Sequence, residues 1–226
     1  MRMSDRFVFQ ATRDEVERQF NVHSERDDFF KSHYNITPGS LITAVFQEHG
    51  ARAVNNFLWG LIPPDAEDER AGAEQYETTI DEIREDEWQT ACLENRRCLI
   101  PAHGFYKWKT TKKKNTPFYI RLLSNELMAF AAIYSVWQSP SGRDVYSCSM
   151  LTTQANALVQ PVGDRMPVIV DPGQYQVWLQ PEALNQRTLD RLLQSYPMSE
   201  MAVNRVSEEV NDAGNNRPGL IQPIPK

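Results

Sequence analysis

The sequence of 226 residues has few of the residues that mark several familiar kinds of site. Its three cysteines, Cys92, Cys98 and Cys148, form no C-x-x-C pair, which excludes a disulfide framework. Its ten glycines form no glycine-rich phosphate-binding loop. No apolar run reaches the ~18 to 20 residues that cross a bilayer. The first ten residues also lack the long apolar stretch of a secretory signal, so we expect a cytoplasmic protein without a membrane partner.

The sequence also has fewer basic than acidic residues. The 24 lysines and arginines against 30 aspartates and glutamates give a net charge of -6 and a pI near 5.3, unlike the basic character of many nucleic-acid-binding proteins. Carboxylates crowd residues 65–87, whereas residues 107–114 (KWKTTKKK) form a basic run. Such runs are usually solvated faces or loops. The acidic stretch is also a candidate surface for a basic protein partner.

The remaining composition is that of an ordinary globular domain. Hydrophobic residues make up 41% and charged residues 24%, with a mean hydropathy of -0.55. The sequence has no internal repeat and no Ser/Gly linker. We therefore expect a single domain over residues 1–226, with a flexible polar segment at about 208–219.

Strand patterns outnumber helix patterns. β-branched and aromatic residues predict strands over 6–10, 41–47, 53–60, 97–108, 117–122, 127–137, 145–153 and 167–170. Thr12 and Glu15 form a capping-box pattern at the start of a helix predicted over 13–20. Further helices are predicted over 77–95, 154–160, 173–179 and 187–196. Because strands and helices do not alternate regularly, we expect an α+β fold with a mainly antiparallel, barrel-like core and peripheral helices.

Considered one by one, the reactive side chains define no site. Cys92, Cys98 and His103 lie close together, but their spacing is too loose for a zinc motif and no fourth ligand follows, so no metal or other cofactor is expected. No nucleophile-elbow pattern surrounds a serine or cysteine. Strand aromatics such as Trp59 could stack on nucleic-acid bases, yet such residues usually pack a core.

Short motifs nevertheless occur in a fixed order along nearly the whole chain. They are YNITPG at 34–39, FLWGLIP at 57–63, YET at 76–78, RRCLIPAHGFYKWK at 96–109, PFYI at 117–120, MAFAAIYSVW at 128–137, LTT at 151–153, DRMPVIV at 164–170, NRVSEEVN at 204–211 and LIQPI at 220–224. Together they resemble the SOS response-associated peptidase (SRAP) family, the abasic-site processing proteins. The resemblance implies a compact α+β domain on a β-barrel-like core, in agreement with the strand-rich pattern.

The resemblance also implies a chemistry. In the family, a cysteine after the initiator methionine uses its thiol and α-amine to close a stable thiazolidine on the aldehyde of an abasic site in single-stranded DNA. A glutamate, an asparagine and a histidine assist this reaction, and arginines hold the phosphates. Only a 1,2-aminothiol forms that ring, so both nucleophiles must belong to one residue.

This sequence departs from the family pattern at the reacting positions. Ser4 stands in the place of the cysteine, Lys107 in that of the glutamate of GFYEW, and Gly163 in that of the histidine before D-R-x-P. At residues 73–75 the asparagine and arginine of the NARxET block are also replaced. We therefore hypothesise a family member in which the crosslinking and self-cleavage chemistry is lost.

Other polar positions of the family pattern are retained. They are Arg6, Asn35, Pro38, Thr152 and Arg165. The resemblance implies that these residues serve a site for single-stranded or abasic DNA, so the leading hypothesis is a DNA-binding scaffold of the DNA damage (SOS) response. Two alternatives stay open. The chain is either a protein-binding regulatory module without DNA binding, or an active abasic-site processing protein that uses amine chemistry at Ser4 or Lys107.

Overall fold

Two β-sheets with short helices around them make up the computed structural model, which describes residues 6–112 and 114–224. In chain order the strands are β1 Arg6–Phe9, β2 His33–Ile36, β3 Leu41–Glu48, β4 Ala51–Trp59, β5 Glu77–Thr78, β6 Arg97–Ala102, β7 Gly104–Thr110, β8 Asn115–Leu122, β9 Met128–Gln138, β10 Asp144–Gln154, β11 Arg165–Pro167 and β12 Met201–Arg205. The α-helices are α1 Arg13–Phe20, α2 Ile80–Arg84, α3 Glu87–Asn95, α4 Tyr175–Leu179 and α5 Gln186–Leu192.

Five of the strands close into a barrel. Strand β4 pairs with β3, β3 with β6, β6 with β9 and β9 with β10, and β10 returns to β4. The pair of β10 and β4 is parallel, whereas the other four pairs are antiparallel. Strands β5 and β11 add to β10 outside this ring. Strand β10 therefore joins the barrel to both short strands.

Aromatic rings and thiols fill the barrel interior. Phe46 of β3 and Tyr146 of β10 have ring centroids 5.7 Å apart, and the rings of Phe57 and Tyr134 lie 5.3 Å apart. Since neither pair joins neighbouring strands, these contacts cross the barrel. The fully buried Cys98 lies on the same interior face, because it is the register partner of Phe46.

The second sheet covers one end of the barrel. Its strand order is β12-β8-β7-β1-β2, and every pair is antiparallel. On its inner face, Phe7 packs 5.1 Å from the ring of Trp59, and Phe105 packs 6.0 Å from that of Phe130. Its outer face forms a smaller apolar cluster that includes residues of the C-terminal segment: Val8, Tyr106, Trp108, Tyr119, Val206, Val210 and Leu220.

The helices lie at the periphery. Helix α1 begins as predicted, with a capping box in which the Thr12 hydroxyl accepts from the backbone N–H of Glu15 and the Glu15 carboxylate accepts from that of Thr12. Helix α4 packs Trp178 against the barrel, where its indole N–H donates to the Cys98 carbonyl at 2.9 Å. No helix within the described residues is long and apolar enough to cross a membrane.

The α+β fold class is confirmed, but several predicted elements are wrong. The helix predicted over 154–160 is a turn, because the Asn156 side-chain oxygen accepts from the backbone N–H groups of Leu158 and Val159. The helix predicted over 77–95 is instead β5 followed by α2 and α3, which begins where the Asp86 side chain caps its first turn. The short strands β2 and β12 were not predicted.

The C-terminal segment carries local structure. Residues Glu208–Asn211 and Pro218–Ile221 form 3₁₀ turns, and Val210 and Leu220 are fully buried. Val210 and Leu220 therefore attach the C-terminal segment to the outer face of the second sheet at two positions. Flexibility of the residues at about 208–219 concerns motion and stays a prediction.

Candidate functional site

The sequence motifs converge where the second sheet meets the end of the barrel. A narrow cleft there is lined by residues from seven strands: Arg6, Phe7, Trp59, Glu77, Phe105, Phe130, Met150, Thr152 and Pro167. Its walls are mainly apolar, and Glu77 and Thr152 contribute polar side chains. Of the predicted site residues, Thr152 thus contributes its side chain to the cleft, and Arg6 lies in the strand that forms one of its walls.

Lys107 lies on the barrel side of β7. Side chains alternate along a strand, so Lys107 shares the face of Phe105, and Tyr106 and Trp108 occupy the opposite face. Lys107 is only 8% exposed. Removing an ammonium group from water is costly unless polar partners replace the water, and buried lysines are correspondingly rare. The position at which the family pattern has an acidic acceptor therefore holds a buried cation.

Gly163 lies directly against the Lys107 side chain. A Cβ atom at position 163 would be 3.2 Å from Cδ and 3.6 Å from Cγ of Lys107. The first distance is shorter than ordinary van der Waals contact between carbon atoms. The missing side chain of Gly163 therefore leaves the room that the methylene groups of Lys107 occupy.

Thr152 and Arg165 are joined by hydrogen bonds between β10 and β11. The Arg165 Nε donates to the Thr152 hydroxyl at 2.9 Å, and its Nη2 donates to the Thr152 carbonyl. The Thr152 hydroxyl in turn donates to the Thr78 carbonyl of β5 at 3.3 Å. Three strands thus fix the orientation of the Arg165 guanidinium, which stays partly exposed.

Arg6 and Asn35 also lie together, on the outer side of the second sheet. The Arg6 Nη1 donates to the Asn35 Oδ1 at 3.3 Å. Arg6 donates further to the carbonyls of Val210 and Asn211, and the Asn35 amide donates to those of Val210, Asp212 and Asn215. Burial lowers the pKa of the Arg6 guanidinium. Both side chains therefore hold the C-terminal segment, and their contact with DNA stays a prediction.

Pro38 belongs to a turn that is bonded to the cleft wall. The turn joins β2 to β3, and the N–H of Gly39 donates to the Trp59 carbonyl at 2.8 Å. The N–H of Trp59 donates back to the Ser40 carbonyl at 2.9 Å. This places Pro38 beside the backbone of a cleft residue, whereas Ser4 lies outside the described residues.

Glu77 is a cleft residue to which sequence reasoning assigned no role. It is exposed and lies in β5, in parallel register with Met150 of β10. Strand β5 has two residues, which is too short for a hydrophobic pattern to reveal. The YET motif at 76–78 was the sequence signal that could have identified Glu77. Its side chain places a carboxylate at the cleft, whereas the position of the family's glutamate in GFYEW holds Lys107.

The acidic and basic runs differ in how they are held. The acidic segment 65–87 is fixed to the barrel by two indole groups, since Trp137 Nε1 donates to the Ala66 carbonyl at 2.9 Å and Trp59 Nε1 to that of Tyr76 at 2.8 Å. In the basic run, Lys107 is buried and Lys109 exposed, and Lys114 forms an ion pair with Glu208. Within the described part of this run, Lys107 therefore does not belong to the exposed cationic surface.

The cysteines do not supply a nucleophile to the cleft. Burial raises the pKa of the Cys92 thiol to about 11 and holds that of Cys98 well above its usual range. Thiols in such surroundings stay protonated and unreactive. Within residues 6–112 and 114–224, no three His, Cys, Asp or Glu side chains are grouped to bind a metal ion.

Comparisons with known proteins agree on one family. The sequence model described as "SOS response associated peptidase (SRAP)" matches residues 3–213. The chain is 34% identical over 226 residues to abasic site processing protein YoqW of Bacillus subtilis, covering 97% of this chain and 99% of that one. It is 33% identical to YoaM of the same organism, covering 97% of each chain. A crystal structure of a protein from Bacteroides thetaiotaomicron superposes with a TM-score of 0.84 at 20% identity, covering 97% of this chain and 99% of that one.

Proposed function

Because the chain belongs to the SRAP family, as its motifs predicted, we propose that it binds abasic single-stranded DNA without becoming covalently attached to it. YoqW and YoaM, which this chain resembles over nearly their whole lengths, are abasic site processing proteins. That likeness supports a role in the DNA damage response. The loss of covalent chemistry is supported by the cleft itself.

The contact between Lys107 and Gly163 carries this proposal. An ammonium group takes the place of the family's glutamate, and the methylene groups of the lysine lie where a side chain at position 163 would begin. The chain therefore has neither a carboxylate at position 107 nor an imidazole at position 163. Removal of a general acid or base typically lowers a rate by about 10² to 10⁴. Ser4 adds an alcohol where a thiol is needed, and an oxazolidine is far more labile than a thiazolidine.

DNA binding is supported by cations on β7 and β11. Arg165 is held by two bonds to Thr152 and is partly exposed, and Lys109 is exposed on the face of β7 that carries Lys107. Arg6, Asn35 and Pro38 serve the same site by fixing the segments around it. Contacts of this kind release counterions from the phosphates, so affinity falls steeply with salt.

Denaturing electrophoresis tests the loss of covalent chemistry. We expect no heat-stable shifted band after incubation with abasic single-stranded DNA. A variant that combines Ser4→Cys, Lys107→Glu and Gly163→His is the matched control, and a band from it would show that these three positions suffice even though the asparagine of the NARxET block stays replaced at residues 73–75. Intact-mass spectrometry must first establish which residue is N-terminal, because the amine and thiol have to lie on one residue. A heat-stable band from the unmodified protein contradicts the proposal.

Fluorescence anisotropy with a labelled oligonucleotide tests the binding itself. We expect a rise at micromolar protein that diminishes steeply as NaCl is added. The acidic segment 65–87 supports the second candidate, a protein-binding module, because two tryptophan side chains hold this largely exposed surface in place. The absence of a salt-sensitive rise would favour that module, with a basic protein as its partner.

Residual amine chemistry is tested by borohydride trapping. A Schiff base between an abasic aldehyde and the amine of Ser4 or Lys107 would be reduced to a stable adduct. We expect no trapped adduct with the unmodified protein. An adduct that disappears in Lys107→Ala would assign the reaction to that lysine, and one that persists would assign it to the N-terminal amine.

We also propose that the protein works in the cytoplasm. Cys92, Cys98 and Cys148 are all free thiols, although Cys98 and Cys148 are neighbours inside the barrel. Reducing compartments keep such thiols unpaired. Cell fractionation should recover the protein with cytoplasmic markers.

A further inference from the structure

A polar cavity lies on the outer face of the second sheet, on the side opposite to the cleft. Its volume is about 390 Å³, which is within the range of small-molecule sites. Its polar lining comes from five segments of the chain: Gln10, His103, Tyr119, Arg121, Asn204 and Gln222. No aspartate or glutamate from the described part of the chain lines it.

Small residues beside Arg121 leave room for this cavity. Arg121 of β8 is the register partner of Gly104 in β7 and of Ala202 in β12. The ring of Tyr119 lies over Gly104, because a Cβ there would be 2.7 Å from Cε2 and Cζ of that ring. Tyr119 and Arg121 are two residues apart on one strand, so they share a face. The hydroxyl end of Tyr119 and the Arg121 side chain therefore border the same space above Gly104.

The hydroxyl of Tyr119 has no hydrogen-bond partner among the described residues. Tyr119 is only 3% exposed, and a buried tyrosine hydroxyl usually forms a hydrogen bond. On the same face of the sheet, the hydroxyl of Tyr106 does so by donating to the Tyr34 carbonyl at 2.8 Å. Tyr119 can therefore donate a hydrogen bond to a ligand in the cavity.

The Arg121 guanidinium is held in place and still has unused donors. Its Nη1 donates to the Leu122 carbonyl and to the Asn125 Oδ1, both at 2.8 Å. Its Nε and Nη2 make no hydrogen bond with any residue that the structure describes. These two groups form one side of the planar guanidinium, and that side can bind two oxygens of one anion.

His103 adds a further donor to the lining. Its Nδ1 accepts from the Gln10 N–H at 3.3 Å, so the neutral ring carries its hydrogen on Nε2. Burial lowers the pKa of His103, which keeps the ring neutral at pH 7. Glu15 and Glu126 line an adjoining cavity that shares His103, so a negative ligand is favoured at the Arg121 end.

We infer that this cavity binds a phosphate monoester, held by the Arg121 guanidinium and the Tyr119 hydroxyl. A phosphate presents three acceptor oxygens to donors from different directions, whereas a carboxylate presents two. The phosphate belongs either to a small compound such as a nucleoside monophosphate or to the end of a DNA strand. None of the six polar residues lines the cleft, so phosphate binding here is independent of the proposed function.

Isothermal titration calorimetry tests the site with inorganic phosphate, deoxycytidine 5′-monophosphate and deoxycytidine. Both phosphate compounds should bind, and deoxycytidine should not. Arg121→Gln should lower the affinity for the nucleotide by about tenfold or more, because it removes hydrogen bonds to a charged group. Arg143→Gln is the matched control, because Arg143 is exposed in the turn between β9 and β10. Absence of binding by both phosphate compounds, an equal loss in Arg143→Gln, or acetate that binds as tightly as phosphate would overturn the inference.

Melting temperatures separate ligand binding from folding. Tyr119→Phe removes a hydroxyl without a partner in the described structure, so the melting temperature without ligand should not fall. The nucleotide should raise the melting temperature of the unmodified protein, and it should raise that of Tyr119→Phe by less. A fall in Tyr119→Phe without ligand would show that the hydroxyl serves the fold, which would overturn its role in binding.

Two single-stranded oligonucleotides that differ only in a 5′-phosphate distinguish the two sources of the phosphate. Tighter binding of the phosphorylated strand, lost in Arg121→Gln, identifies a strand end as the ligand. Equal binding of both strands, together with binding of the free nucleotide, identifies a small phosphorylated compound. If the unmodified protein binds neither strand, the proposed function fails, and the calorimetry still decides this site.

Discussion

The two faces of the sheet that contains β1 and β7 carry polar residues of different kinds. On the outer face, the side chains of Arg6 and Asn35 donate hydrogen bonds to backbone carbonyls of the C-terminal segment. On the inner face, Lys107 lies against Gly163 beside the cleft. Retained positions of the family pattern occur on both sides of this sheet, with Arg6 and Asn35 on its outer face and Thr152 and Arg165 at the end of the barrel, whereas Lys107 and Gly163 depart from the pattern. A match to the family pattern therefore does not by itself show that a residue takes part in the reaction, because some matching residues hold the fold.

Asn35→Ala should break the outer network most severely. Its amide donates to three carbonyls at 2.9 to 3.2 Å, and its side-chain oxygen accepts from Arg6. Leaving buried polar groups without partners costs about 1 to 3 kcal/mol per group. We expect the free energy of unfolding, measured by urea denaturation, to fall by about 3 kcal/mol. Asn95→Ala, which removes one exposed bond to the Ala91 carbonyl, is the control. Unchanged stability with lost DNA binding would place Asn35 in the interface instead.

Arg165→Ala should weaken DNA binding, in contrast to the loss of stability expected from Asn35→Ala on the outer face. We expect a roughly tenfold loss of affinity for single-stranded DNA, equivalent to about 1.4 kcal/mol, because the lost cation contacts phosphate. Anisotropy titration measures it. Arg165→Lys should recover only part of the loss, since one ammonium cannot replace both bonds to Thr152. Full affinity in Arg165→Ala would remove this residue from the proposed interface.

Trp108→Phe should have a smaller effect on the outer face. The indole N–H of Trp108 donates to the Asn211 side chain at 2.7 Å, and Arg6 lies 5.6 Å from the ring centroid. Phenylalanine keeps an aromatic ring but loses the donor. We expect a loss of about 1 kcal/mol in the free energy of unfolding, with unchanged DNA affinity. A drop in DNA affinity without a drop in stability would show that the two faces are not independent.

Acid should loosen the outer network slightly through His33. Its Nδ1 accepts from the Asn35 N–H at 3.2 Å, and burial lowers its pKa below the ordinary value. The unfolded chain therefore binds more protons as the pH falls through about 6.5, so stability declines from there towards pH 5. Urea denaturation across this range should show a shallower decline in His33→Gln than in the unmodified protein. His49→Gln, at an exposed position, should leave the decline unchanged.

Local patterns predicted local structure well. The capping box of Thr12 and Glu15 located α1, and runs of β-branched and aromatic residues located the barrel strands. Strand β5 has only two residues, and the five residues of β12 (MAVNR) do not alternate between apolar and polar, so neither carries such a pattern. Both strands are defined by their pairing with β10 and β8. Their existence follows from partners that are distant in sequence.

The candidate site was predicted only in part, for the same reason. The resemblance predicted that Thr152 and Arg165 are among the residues of a DNA site. The structure joins the two residues by hydrogen bonds, and their contact with DNA stays a prediction. The contact of Lys107 with Gly163 could not be predicted, because no sequence period relates residues on β7 to a turn before β11. The carbonyl partners of Asn35 could not be predicted either, because every residue has a backbone carbonyl and the sequence does not indicate which of them a side chain contacts.

The circular pairing of the five barrel strands has a consequence for how such proteins change over time. A ring in which every strand has two neighbours exposes no unpaired backbone along its side, so its integrity does not depend on the side chains at its mouth. Residues there can be exchanged while the scaffold persists. A shared barrel architecture therefore does not by itself show that two such proteins carry out the same reaction.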